Sequence, residues 1–153
     1  MIQTPIETVL AVLKDATDPS VIADLVAPDA TYVSLKYNNP DLKRITTLCV
    51  AHERSQSILE TFVNVNRHWE ILAFDVEEAF ASEGRVALFV RCTFRSRVMD
   101  KILTSPVAIF AKVADGKVTH MQFMEDTFGT ASTFRSGGAW TFRADPEGPA
   151  VTI

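Results

Sequence analysis

Apolar residues in the first half of the chain recur at helical spacing, and those in the second half recur at every other position. Thr4-Pro5-Ile6-Glu7 opens a helix, because Thr can cap, Pro suits the first helical position and Glu falls three residues after the Thr. Ile6, Val9, Leu10 and Leu13 mark its apolar face. Asp18-Pro19 repeats the signal before Val21, Ile22, Leu25 and Val26, and Pro28 ends that second, short helix. Ala30 to Leu35 reads as a first strand, Lys36 to Asp41 as a turn-rich loop and Ile45 to Val50 as a second strand. Glu53 to Trp69 carries the longest helical pattern, with Ile58, Phe62, Val65 and Trp69 spaced at four, three and four residues.

From Ile71 the period becomes two. Leu72, Phe74 and Val76 share one face, Val86, Leu88, Val90, Cys92 and Phe94 share another, and Ile102 to Val113 is apolar on both. Ser82-Glu83-Gly84, Met99-Asp100-Lys101 and Asp115-Gly116 separate these runs as tight turns, which makes a long antiparallel meander. Helices first and hairpin-linked strands later predict an α+β domain, a curved antiparallel sheet wrapped around the N-terminal helices and the long helix. The last strand, Gly116 to Phe128, ends in two adjacent carboxylates, Glu125 and Asp126, of which alternation turns one inward. Beyond Phe128 the pattern fades, and Ser136-Gly137-Gly138 and Asp145-Pro146-Glu147-Gly148-Pro149 bracket an apolar tail around Trp140 and Phe142.

Composition narrows the function. A chain of 153 residues, 47% hydrophobic and 22% charged, fits one globular domain, and a formal charge of −4 argues against a nucleic-acid surface. The start has no basic segment followed by an apolar one and no run is long enough to span a bilayer, so a cytoplasmic location is expected. Cys49 and Cys92 lack ligand spacing, and His52, His68 and His120 sit in separate segments, so no metal is expected. Without a glycine-rich phosphate loop or a Gly-x-Ser-x-Gly elbow, nucleotide hydrolysis and serine hydrolase chemistry are poor candidates.

The order helix, helix, strand, long helix and meander resembles the nuclear transport factor two-like superfamily, and its SnoaL-like branch in particular. The likeness runs over residues 4–128 and rests on Leu25-Val26-Ala27-Pro28-Asp29-Ala30-Thr31-Tyr32, on the helix around Ile58 and Phe62, and on Gly116 to Asp126. It implies a cone-shaped sheet, a cystatin-like roll, with a mostly apolar cavity; residues 129–153 would then be an extension docking on the domain or on a partner subunit. Members include steroid isomerases, polyketide cyclases, epoxide hydrolases, dehydratases and pure binding modules. Ser34 falls where the steroid isomerases carry their general-base Asp, and Ala108 where they carry a protonated Asp, so that mechanism loses both acids. Of the Asp, Arg, Asp set of the epoxide hydrolases only Arg91 survives, with Thr93 and Phe123 at the other places.

The facing that the resemblance implies sets Thr119, Met121, Phe123 and Glu125 on the concave side. Glu125 becomes the candidate for proton transfer, its pKa raised by apolar neighbours; the competing reading pairs it with an arginine at the rim. Asp126 is better placed to cap a turn at Phe128. Arg91 either reaches the pocket to hold an oxyanion, as the facing implies, or faces solvent or a second subunit, as the binary pattern of its strand indicates. Tyr32 is a further hydrogen-bond candidate, and Ser34, Phe62, Asn66, Trp69, Phe110, Met121 and Phe123 are expected to line the cavity. The expected activity is cofactor-free proton transfer next to a carbonyl on a small apolar or cyclic molecule, as an isomerase, cyclase or lyase; the alternatives are a ligand carrier or a dimeric scaffold. A homodimer is expected through the outer face of the meander, to which Ile109 is assigned.

Overall fold

The computed structural model describes residues 3–33, 39–45, 52–53 and 55–153. Helix α1 spans Pro5–Lys14 and α2 Pro19–Leu25; strand β1 is Val26–Val33; α3 is Pro40–Ile45, β2 His52–Glu53 and α4 Ser55–His68. Strands β3 (Trp69–Ser82), β4 (Arg85–Ser96), β5 (Ile102–Ala114) and β6 (Lys117–Glu125) form the meander, followed by α5 (Thr127–Ser132) and the short pair β7 (Thr141–Phe142) and β8 (Val151–Thr152).

Local chemistry sets the helix starts. The Thr4 hydroxyl accepts from the Glu7 amide while the Glu7 carboxylate accepts from the Thr4 amide at 2.7 Å, a complete capping box. Asp18 caps α2 by accepting from the Ser20 amide at 2.8 Å. The turns are as specific: Glu83-Gly84 and Asp115-Gly116 both take positive φ at each residue, the two-residue geometry whose twist suits a hairpin. At Gly84 a Cβ would stand 2.4 Å from the Val113 carbonyl oxygen, so the residue serves close approach as well as φ.

The sheet has the order β2-β1-β6-β5-β4-β3 among the described residues. Its pairs are antiparallel except β1 with β6, which run parallel, so the expected antiparallel sheet holds for the meander and not for the first strand. Helices α1, α2 and α4 pack on the inner face, where Val9, Val12, Ile58, Leu88, Ile109 and Met121 are fully buried. The fold is thus the α+β roll expected from the pattern.

Several local expectations are corrected. Residues 40–45, partly assigned to a loop, form α3, and the strand expected over Ile45 to Val50 lies, apart from Ile45 itself, outside the described residues, as does Cys49. The long helix stops at His68, because Trp69 already pairs with Ser96 in the sheet. Leu72 does not share a face with Phe74: register shifts between Ile71 and Ala73 and again between Val76 and Glu78 mark bulges, and each bulge moves the alternation by one position. Ile109 belongs to the buried inner face, opposite Leu88 and Phe123, and not to the outer one.

Candidate functional site

The concave side of the sheet and the helices enclose a cavity of about 520 Å³. Its closed end is made by residues that are themselves buried: Tyr32, Trp69, Cys92, Phe94, Val107 and Thr130. Its mouth is framed by exposed residues, Ile71, Phe74 and Val76 of β3, Lys14 and Thr17 after α1, and Asn66 of α4. Leu10 and Leu13 from α1 and Phe62 and Val65 from α4 complete the apolar wall.

One face of β6 brings a carboxyl to the cavity. Phe123 and Glu125 line the cavity, cross-strand from Ile109 and Val107. The rings of Tyr32, Phe62 and Phe123 form a cluster with centroids 5.7 to 6.3 Å apart, which fixes one side of the wall. Burial among such neighbours pushes the Glu125 carboxyl up to about 7, with the adjacent Asp126 adding to the shift. The Thr130 hydroxyl works against it: buried and without a close hydrogen-bond partner among the described residues, it lies near enough to favour the charged form. Cys92 faces the same space, and burial together with the charges of Glu125 and Asp75 pushes its thiol up to about 11, so it stays neutral.

The segment after β6 closes the cavity. Asp126 caps α5, accepting from the Gly129 amide at 2.8 Å, and its own amide donates to Ser105 Oγ at 3.2 Å. The cap turns the chain back so that Thr130 reaches the closed end. Trp69 Nε1 donates to Thr133 Oγ1 at 3.1 Å, and the Phe134 ring packs against the indole at a tilt of 44° with centroids 4.7 Å apart. Thr130, Thr133 and Phe134 were not singled out in the sequence; the cap signal at Asp126 was the trace that could have led to them.

Of the expected site residues, the structure brings Tyr32, Phe62, Asn66, Trp69, Phe123 and Glu125 to the cavity wall. Asn66 sits at the mouth with its amide donating to the Phe62 carbonyl at 3.0 Å. Ser34 lies outside the described residues. Met121 is fully buried on the inner face but packs in the core rather than on the cavity. Arg91 is corrected: it points to the outer face, is exposed and forms an ion pair with Glu77, because the strand's even-numbered residues face in and no bulge in β4 reverses them. Phe110 is corrected for the same reason of parity. It lies on the outer face, 5.8 Å from the His120 ring and 5.9 Å from Lys112 Nζ, centroid to group. Burial and then the Lys112 charge hold His120 below the usual imidazole range. Among the described residues no three His, Cys, Asp or Glu side chains gather as a metal site would require.

Fold and cavity together define a small α+β domain with one largely apolar cavity among its described residues. The chain belongs to the SnoaL-like domain family, whose model matches residues 6–121. Its curated relatives include patulin biosynthesis cluster protein F of Penicillium expansum, 34% identical over 152 residues, spanning 95% of this chain and 76% of that protein. Patulin synthesis protein F of Aspergillus clavatus is 33% identical with 95% and 77% coverage. Among solved structures, NTF2-like proteins of Burkholderia thailandensis and Burkholderia xenovorans superpose with TM-scores of 0.70 and 0.72 at 19% and 16% identity, covering 87% and 88% of this chain and 98% and 100% of theirs. At that identity they speak for the fold alone. Among the described residues no helix is long and apolar enough to cross a membrane.

Proposed function

We propose that the protein binds a small, largely apolar cyclic molecule in this cavity and moves a proton next to a carbonyl on it, within a biosynthetic route. The single observation that carries the reading is Glu125, a carboxyl aimed into an apolar cavity and titrating near neutral pH. As carboxylate it takes a proton from the carbon beside the carbonyl; the electron pair of that C–H bond moves into the ring system and onto the oxygen, and the same carboxyl returns the proton at another position. No electrons are gained or lost. The names of the two fungal relatives, which place them in patulin biosynthesis, support a biosynthetic role for this chain.

With Arg91 on the outer face, oxyanion stabilisation falls to hydroxyls on the wall, and Tyr32 lies on it. The wall's almost wholly apolar make-up also favours a second reading, a carrier that binds without turnover. A thermal-shift screen of wild type and Glu125→Gln against cyclic ketones, aromatic polyketide fragments and epoxides separates the two. The enzyme reading expects a hit that wild type converts and Glu125→Gln binds without converting; a ligand at one hundred times its Kd adds about 2.7 kcal/mol to stability. A hit that neither protein converts would leave the carrier, and conversion undiminished in Glu125→Gln would remove Glu125 from the chemistry.

A further inference from the structure

The closed end of the cavity holds a buried hydroxyl that makes no hydrogen bond of full geometry within the fold and stands beside the Glu125 carboxyl. Thr130 is 1% exposed, lines the cavity and has an Oγ1 with no hydrogen-bond partner among the described residues, although an unmade bond in a buried site is costly. Its neighbour Thr133, equally buried, is fully engaged, accepting from Trp69 and donating to the Thr130 carbonyl at 2.7 Å. Thr130 lies beyond residues 6–121, on a helix that the Asp126 cap starts and that Ser105 and Trp69 anchor to the rest of the fold. Lys14 is the one basic side chain on the cavity wall among the described residues, and it is exposed whereas Thr130 is buried.

We propose that the Thr130 hydroxyl is the subsite for one neutral oxygen of the ligand, a ketone carbonyl held beside Glu125, and that this end of the cavity refuses carboxylates. The inference rests on the cavity being the ligand site and adds the chemical class it takes. A ketone oxygen accepts a hydrogen bond from the Thr130 hydroxyl, which within the fold has only the nearby Glu125 carboxyl to turn to. That bond sets the carbon next to the carbonyl toward Glu125 and strengthens as charge develops on the oxygen. A ligand carboxylate at the same place would meet the Glu125 charge in an apolar surround with no cation to offset it.

Three probes that share one ring system read this directly: naphthalene, 2-acetylnaphthalene and 2-naphthoate, titrated at pH 8 into wild type, Thr130→Val and Thr130→Ser. Wild type should bind the ketone more tightly than naphthalene and at least ten-fold more tightly than the carboxylate. Thr130→Val should lower the ketone-to-naphthalene ratio about three- to ten-fold, the range of one hydrogen bond, and Thr130→Ser should keep it. An unchanged ratio in Thr130→Val, or a carboxylate bound as well as the ketone, would overturn the proposal. Naphthalene bound with no preference for the ketone would overturn the subsite and leave the cavity reading standing, whereas no binding of any probe by folded wild type would overturn both. Should Thr130→Val not fold, the carbonyl ¹³C shift of labelled 2-acetylnaphthalene on wild type decides: downfield of its value in hydrocarbon solvent is expected, and a hydrocarbon-like value would sink the idea.

Discussion

Glu125 is held against its solution preference, and that has a measurable sign. Its carboxyl titrates near 4.5 when solvated and near 7 in the fold, so the folded state binds this proton more tightly than the unfolded chain does. The stability that neutral Glu125 contributes is complete below pH 4.5 and is lost as pH rises through about 7. At alkaline pH the fold carries a buried charge costing about 3 kcal/mol. Glu125→Gln should therefore match wild type near pH 4 and exceed it at pH 8.5 by up to that amount in denaturant unfolding. A difference that stays flat across this range would mean the carboxyl is solvated. Activity should move the other way, rising with pH toward a midpoint near 7 in wild type, because the general base must be ionised. The thiol of Cys92, neutral through the same range, adds nothing to that profile.

At the scale of elements, the join between β3 and the segment after α5 is where the cavity is sealed. Thr133→Val would leave the buried Trp69 indole N–H without its partner, for an expected loss of about 1–3 kcal/mol in unfolding free energy. Ser in place of Val should restore most of it; equal losses in both would point to packing instead. This join was the least legible part of the chain. Helix starts at Thr4 and Asp18 and hairpin turns at Glu83-Gly84 and Asp115-Gly116 could be read because each is a short-range signal satisfied by adjacent residues. The facing of Arg91 was also present in the alternation of β4, and the facing implied by resemblance misled where the plain pattern did not. What could not be read are features that depend on distant partners. The bulges of β3 arise from fitting a 14-residue strand to β4, and α5 is too short to declare itself by period, so Thr130 stayed hidden behind the Asp126 cap.

For the whole molecule, the outer face of the sheet carries exposed apolar side chains. Phe80, Phe89 and Met124 are exposed there, with Ala87, Ala108 and Pro106 among them. Arg91 pairs with Glu77 there and Arg95 lies 3.7 Å from Glu70, so these charges would not set two identical faces against each other. We propose that a second copy of this chain covers this face. Sedimentation should give twice the 16.9 kDa of the single chain, and Phe89→Glu should reduce it to one copy that keeps its folded secondary structure. A single-copy mass for wild type at tens of micromolar would remove the dimer.

The outermost position of β3 has another consequence. An edge strand of 14 residues with Ile71, Leu72, Phe74 and Val76 exposed is the kind of surface on which a stray chain would add itself and start a fibre. The two bulges interrupt the regular ladder such a chain would need, and Asp75, Glu77 and Glu78 place charge along the same stretch. The irregularities of the strand that frames the cavity mouth are therefore also an obstacle to aggregation, and a variant that straightened β3 would offer stray chains a longer regular ladder.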